Sequence, residues 1–442
     1  MSVFLEETSL TYLETAKKAF TYIESKKVQT EYGIYWSLDE STDNGAYFDE
    51  TSIYAGSAGI LYFYLQLSKV TNDNRYLKDA KEALRYIQHR WETDRDLQLA
   101  ISNWAYTSGY SGIGYVLTEL YLHTKDTSYS DFVTAIGQEI INQAVKDEAG
   151  NGYYWSGAIG VIADSGTLLF LLDTAEKLSI PEWTTFAIEA GRYLLNKGIT
   201  YPDGGIYYKG VKFGPEGSHF PGFPLGSAGV GYTLLKLYKA SGDDQFLAAT
   251  DGIKEYYEAI AQGDEEALLI PHNVPNDHIY YLGYCGGPAG IVRYFYYYYT
   301  LTKNEEYRDF YQKLLKGVLK TGAPDIHSEG YWHTHTQCCG TSGLVDTFIG
   351  AYLDTKDPLY LAAAKRSGLQ LLGWSRDEPT DSEIIGTKWY QAYSRIDPDQ
   401  ITTAIGYYDG AAGIASSLLH LYQIEEHAFP IQNVLDNPFP VQ

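Results

Sequence analysis

Gly56-Ser57-Ala58-Gly59-Ile60-Leu61-Tyr62-Phe63-Tyr64-Leu65 joins two glycines, three residues apart, to an uncharged apolar run. The same pattern returns at Gly109-Tyr110-Ser111-Gly112, Gly226-Ser227-Ala228-Gly229, Gly287-Pro288-Ala289-Gly290, Gly340-Thr341-Ser342-Gly343 and Gly410-Ala411-Ala412-Gly413. A degenerate copy, Ala163-Asp164-Ser165-Gly166, fills the one long gap, so there are six complete copies and one incomplete one. The closing glycines fall 53, 54, 63, 61, 53 and 70 residues apart. That period is too long for a two-helix solenoid unit of about 34 residues and suits two helices plus a substantial loop.

A second kind of segment lies between the copies. Residues 75–90 read RYLKDAKEALRYIQHR, with Tyr76, Leu77, Ala80, Ala83, Leu84 and Ile87 at helical spacing and charges opposite. The same type is expected near 9–25, 128–145, 181–197, 243–262, 305–320 and 358–374, with Asp357-Pro358 as a helix start (Asp at the N-cap, Pro at the first helical position). Helices that follow the glycines are apolar on most sides and should be buried on most sides. Seven of each kind in alternation predict an all-α fold, a seven-fold α/α toroid, as a single domain over residues 1–442. An inner ring of apolar helices is wrapped by amphipathic ones. An open solenoid would need polar capping repeats, and the seventh copy is as apolar as the rest. The remaining segments, at Asn151-Gly152, Asp203-Gly204-Gly205 and Glu329-Gly330, read as short hairpins. The Tyr294–Tyr299 run reads as ring packing.

Lys+Arg 33 against Asp+Glu 56 gives a net charge of -23, which argues against a nucleic-acid partner and against adsorption to anionic lipid. No apolar run reaches the ~18 residues of a transmembrane segment. The acidic start, Met1-Ser2-Val3-Phe4-Leu5-Glu6-Glu7, is unlike a signal peptide, so a cytoplasmic location is expected. Three Cys cannot form a disulfide framework without a remainder. The 43 Tyr suit either the wall of a wet cavity or many half-buried helix positions.

All three cysteines fall at glycine copies: Cys285 before Gly286-Gly287, and Cys338 and Cys339 before Gly340. Their spacing alone is unlike a compact metal motif. The repeat places the fifth and sixth copies side by side and so brings three thiols to adjacent helix starts. Such a soft set suits zinc, and three protein ligands with an open fourth position is the pattern of a catalytic zinc. Buried free Cys is the competing reading.

Tyr284-Cys285-Gly286-Gly287-Pro288-Ala289-Gly290 and Cys338-Cys339-Gly340-Thr341-Ser342-Gly343, together with the glycine copies, resemble the lanthionine synthetase C-like (LanC-like) cyclases over essentially the whole chain. The resemblance implies Zn2+ held by Cys285, Cys338 and Cys339, the three-cysteine subtype. It also implies an enzyme, a lanthionine synthetase that adds peptide Cys thiols to dehydroalanine or dehydrobutyrine to form thioether rings. The implied partners are a dehydrated precursor peptide and a lanthipeptide dehydratase, and a monomer or weak assembly is expected.

The family pattern places a His directly before the glycine pair of the fourth copy, where it serves as acid/base; here that residue is Leu225. His219, six residues earlier, either reaches inwards as its substitute or is a solvated loop residue. Asp164 stands for the family Asp near the third copy, or is a helix N-cap. His335 and His333, just ahead of the cysteine pair, are candidates for a proton donor, an outer-shell group or a replacement metal ligand. Asp409 holds in its copy the position of Cys339, and Tyr284 is a candidate hydrogen-bond donor to an enolate. Three other readings remain: a peptide- or partner-binding module without catalysis, addition of glutathione or another thiol, and a carbohydrate-active toroid using Asp164 and Asp409.

Overall fold

In chain order the helices are α1 (Ser2–Glu24), α2 (Ser57–Thr71), α3 (Ala80–Thr93), α4 (Tyr110–Thr124) and α5 (Thr127–Asn142). They continue with α6 (Asp164–Leu178), α7 (Pro181–Gly191), α8 (Ser227–Ser241), α9 (Asp244–Ala248) and α10 (Ile253–Ile260). The remainder are α11 (Pro288–Thr302), α12 (Glu305–Lys320), α13 (Thr341–Thr355), α14 (Pro358–Trp374) and α15 (Ala411–Glu425). This computed structural model describes residues 2–38, 49–97, 101–276 and 278–442, with side chains from Ser9 onward in the first helix. The acidic N-terminal heptapeptide thus lies outside the described side chains.

Every glycine copy starts a helix of 15 residues: α2, α4, α6, α8, α11, α13 and α15. The first glycine of each complete copy, and Ala163 in the degenerate one, is the N-cap. Six of the seven helices end at a left-handed residue, Asn72, Lys125, Ser179, Gly242, Lys303 or Lys356. After five of these the next residue is an Asp or Asn whose side chain accepts from the backbone two residues on: Asp73, Asp126, Asp243, Asn304 and Asp357. A left-handed stop followed by an Asx cap turns the chain in two residues, so each apolar helix hands over at once to an amphipathic one. Burial follows the expected division. All of α2 from Ser57 to Ser68 is buried, whereas α12 buries one face, Tyr307, Phe310, Tyr311, Leu314, Leu315, Gly317 and Val318. The Tyr run is packing: Tyr294, Tyr296 and Tyr297 are buried, and Tyr298 stacks on Tyr307 at 3.6 Å.

The described chain divides into two compact units. One comprises residues up to 100, 334–433 and 439–442; there α15 packs against α13 and α2, with α14 on α13 and α1 on α15. The other comprises 101–333 and 434–438; there α4, α6, α8 and α11 pack in succession, with α5, α7 and α12 outside them.

The second glycine of the pattern has a packing role. A methyl group on Gly229 would sit 2.1 Å from the Phe223 carbonyl oxygen and 2.7 Å from Val161 Cγ2. Gly290 would meet the Tyr284 oxygen and Phe223 Cβ, and Gly413 the Tyr407 oxygen and Gln337 Cγ. At these three starts the helix is therefore pressed against its own preceding turn and against the turn of a neighbouring copy.

Three expectations need correction. The helix near 243–262 is two, α9 and α10, because Gly252 takes a left-handed φ of 92° and its carbonyl accepts from Ile206 N–H at 2.8 Å. The segments near 75–90 and 181–197 each include a 3-10 turn, Asn74–Leu77 and Arg192–Leu194. Val145–Lys146 with Tyr153–Tyr154 and Ile199–Thr200 with Ile206–Tyr207 are the expected hairpins. Glu329-Gly330 is not one. Tyr331–Trp332 pairs in parallel with Tyr280–Tyr281, an arrangement reached only across the intervening α11 and α12. Among the described residues no helix is long and apolar enough to cross a membrane.

Gly229→Ala should destabilise the protein by about 1–3 kcal/mol, since the clash with backbone outweighs the better helix propensity of Ala. Gly373→Ala, which has nothing within 4 Å, should be neutral or slightly stabilising. Urea unfolding of the two variants checks this; equal behaviour would contradict the close-approach account.

Candidate metal centre

The turn ahead of an apolar helix is short, and its residues are held by the backbone. Cys338 N–H donates to the Tyr408 carbonyl at 2.9 Å, and the Cys339 carbonyl accepts from Thr334 N–H at 3.0 Å. Cys339 N–H donates to Thr336 Oγ1 at 3.3 Å. The two sulfurs are 3.7 Å apart, far beyond the roughly 2.05 Å of a disulfide, and none of the three cysteines is in a disulfide. Cys285 occupies in its copy the register of Cys338, two residues before the N-cap glycine. The Sγ atoms of Cys285, Cys338 and Cys339 all lie within 4.8 Å of one another. Zinc–sulfur bonds of about 2.3 Å in a tetrahedron set sulfurs about 3.8 Å apart, so the donor set fits a soft tetrahedral cation with a fourth position left for another ligand. Cys285 and Cys339 are half-buried and Cys338 buried.

Around Cys338 and Cys339 stand two groups with different sequence visibility. Asp409, which holds the register of Cys339, is half-buried, and its carbonyl accepts from Gln391 Nε2 at 2.7 Å. Tyr54 is the second group. Its ring stacks on Tyr408 with centroids 5.4 Å apart, and its hydroxyl meets the Cys338 sulfur. Burial pushes the Tyr54 hydroxyl well above its ordinary range, and Cys338, Cys339 and Asp409 push it the same way. The hydroxyl is thus kept as a proton-bearing donor. A signal for Tyr54 existed: it lies two residues before Gly56, the register of Cys285 and Cys338.

The turn of Cys285 has its own neighbour, which no sequence pattern marks. His272 stacks on Tyr281 at 3.7 Å, and its Nδ1 lies where a side chain on Gly286 would otherwise go, 2.7 Å from that position. It comes from the loop before Tyr280, remote in register from any glycine copy, so no spacing pointed to it.

The other sequence candidates are engaged as follows. The Asp164 carboxylate, at the first position of α6, accepts from the N–H groups of Trp155 (3.1 Å), Ser156 (3.0 Å) and Gly157 (2.9 Å) and from Ser156 Oγ (2.7 Å). Burial raises its pKa while these hydrogen bonds pull it back down. Its oxygens gather the loop ahead of their own helix. Tyr284 is buried and donates its hydroxyl to Asp436 at 2.5 Å. His335 stacks on Trp374 at 4.2 Å, and His333 is buried against His327. His219 is buried, stacks on Tyr207 at 3.9 Å and pairs through Nε2 with the Tyr256 hydroxyl at 2.9 Å.

Burial, with a smaller push from Lys209, lowers the His219 pKa from 6.5 to about 4. Between those values the unfolded chain takes a proton at His219 that the folded chain refuses. The stability that this neutral ring contributes is full above pH 6.5 and lost as pH falls towards 4. Histidine NMR, with His219→Gln for assignment, should show no titration of His219 near neutral pH; a midpoint near 6.5 would contradict its burial.

A search of the curated proteins found no match. Among solved structures, nisin cyclase superposes with a TM-score of 0.63 at 18% identity, covering 86% of this chain and 90% of that one. At that identity the likeness is one of fold, and it bears out the all-α toroid. Family 76 glycoside hydrolases are looser matches. An α-1,6-mannanase from Salegentibacter sp. HEL1_6 has a TM-score of 0.43 at 15% identity over 70% of this chain and 86% of that one. An α-mannanase from Bacteroides thetaiotaomicron has 0.46 at 14% identity over 74% and 87%. These bear on neither site nor activity. The family profile described as Lanthionine synthetase C-like protein matches residues 47–433, and the chain belongs to that family.

Proposed function

We propose that this protein is a zinc-dependent cyclase of the lanthionine synthetase type, acting on a dehydrated ribosomal peptide. The observation that carries the reading is the convergence of three sulfurs, within 4.8 Å of one another, in a chain of this family. The single domain over 1–442, a cytoplasmic location and a dehydratase that supplies the substrate belong to the same proposal.

In the reaction a peptide Cys loses its thiol proton, and its sulfur bonds to Cβ of dehydroalanine or dehydrobutyrine. The alkene electron pair shifts to Cα and its carbonyl, and Cα then takes up a proton. Zinc held by Cys285, Cys338 and Cys339 would lower the pKa of the incoming thiol and position its sulfur. Three thiolates make that ligand set more negative than two thiolates and a His, which favours a more nucleophilic incoming sulfur. Tyr54, kept protonated beside Cys338, supplies a hydrogen-bond donor at the cysteine pair. With Leu225 in place of the family His, the proton work falls to the groups at the two turns: Tyr54, His272, Asp409 and His335. Asp164 and Tyr284, whose polar atoms are committed to Ser156 and Asp436, hold loops instead.

Leu225 also supports the second reading, a peptide-binding module without turnover. Incubation with a dehydrated peptide separates the two. The cyclase reading expects loss of alkylatable thiols without change in peptide mass. Binding with every thiol retained would overturn it.

The purified protein should carry about one zinc per chain, and Cys285→Ala and Cys339→Ala should each lose it. Metal analysis of the three proteins checks this; retention of zinc by either variant would contradict the ligand set. Tyr54→Phe should keep its zinc and lower turnover by about tenfold to a hundredfold, read from thiol consumption. Unchanged turnover would remove Tyr54 from the chemistry.

A further inference from the structure

Cys285 and Cys338 share one register, and the residue before each is tied to a buried carboxylate. In one unit, Gln337 Nε2 donates to Asp346 Oδ2 and to Ser417 Oγ, both at 2.6 Å, and to the Gly413 carbonyl at 3.3 Å. Asp346 Oδ1 meets His420 Nδ1 at 2.8 Å, with side-chain exposures of 9% and 3%. In the other unit, Tyr284 donates to Asp436 Oδ2, and Arg293 donates to Asp436 Oδ1 at 2.6 Å. Asp436 is 0% exposed and comes from 434–438, the stretch near the chain end that packs with this unit. The Arg293 guanidinium also lies over the Tyr284 ring, 4.5 Å from its centroid.

Burying a carboxylate is costly, and an ion pair only partly offsets the loss of water. Apolar residues of similar volume would stabilise the helix packing at least as well. The cost is met twice, and at corresponding places. In the copies without cysteine the same register holds Ile53, Tyr106, Gly160, Phe223 and Tyr407. Gln337 is itself wedged against Gly413, where a methyl group would stand 2.7 Å from its Cγ, so it has little room to shift.

We propose that Asp346 and Asp436 are positioning residues for the cysteine-bearing turns, acting through Gln337 on Cys338 and through Tyr284 on Cys285. Neither carboxylate touches a sulfur. Each fixes the side chain one residue ahead of a ligand, and so fixes the direction in which the next residue projects its sulfur. The proposal rests on the metal-site reading above.

The test uses Gln337→Met and Tyr284→Phe in the full chain. Each variant removes the link but leaves the carboxylate its other partner, His420 or Arg293. Tyr106→Phe, the same register in a copy without cysteine, is the control. Thermal unfolding confirms that each variant is folded. Zinc affinity, by competition with a chromophoric chelator, should fall about 10–100-fold in both variants and stay unchanged in the control. Arsenite, which takes three thiols, provides a zinc-independent readout on metal-free protein, and its binding should weaken in the same two variants. Variants that bind both probes as tightly as the unaltered protein would overturn the proposal. If the unaltered protein bound arsenite but no zinc, the metal reading would fall; weaker arsenite binding in the two variants alone would still uphold the positioning role.

Discussion

Gly229, Gly290 and Gly413 stand where a methyl group would collide with a carbonyl of the preceding turn and with a side chain of a neighbouring copy. That close approach is the constraint on which the remaining structure depends. It presses these three helix starts against the turn of the preceding copy. Cys285 and Cys338 stand in one register, each two residues before an N-cap glycine, with 53 residues of chain between them in sequence. The approach at Gly413 gives Gln337 its fixed seat.

Polar groups beneath these turns are arranged accordingly. The carboxylates of Asp164, Asp346 and Asp436 all accept hydrogen bonds from turn residues or from the side chains that anchor them. Asp164 closes a loop in a copy without cysteine, so carboxylate anchoring of a turn is a general device here. At the fifth and sixth copies it sits one residue from a sulfur. An unpaired buried carboxylate would be strongly destabilising, which is why each comes with its own partner: the Trp155–Gly157 amides, His420, or Arg293.

The seven-fold repeat and the helix alternation were legible because glycine spacing and amphipathic period are local signals. Asp357-Pro358 was legible for the same reason, and the three-cysteine cluster was legible from the shared register of Cys285 and Cys338. Other features depend on partners remote in sequence. The break at Gly252 exists because its carbonyl pairs with Ile206, and the parallel pairing of Tyr331–Trp332 needs Tyr280–Tyr281. Asp436 enters from near the chain end, and His272 from a loop outside any copy; neither carries a pattern of its own. Tyr54 is the instructive case. It holds the register of Cys285 and Cys338, but a tyrosine there carries no metal-ligand signal of its own.

On the proposed reading, three thiolates of this chain form one zinc site with an open fourth position. X-ray absorption at the zinc edge of the protein as purified tests it most directly. A shell of three sulfurs at about 2.3 Å and one lighter donor is expected. Zinc bound through nitrogen and oxygen alone would contradict it.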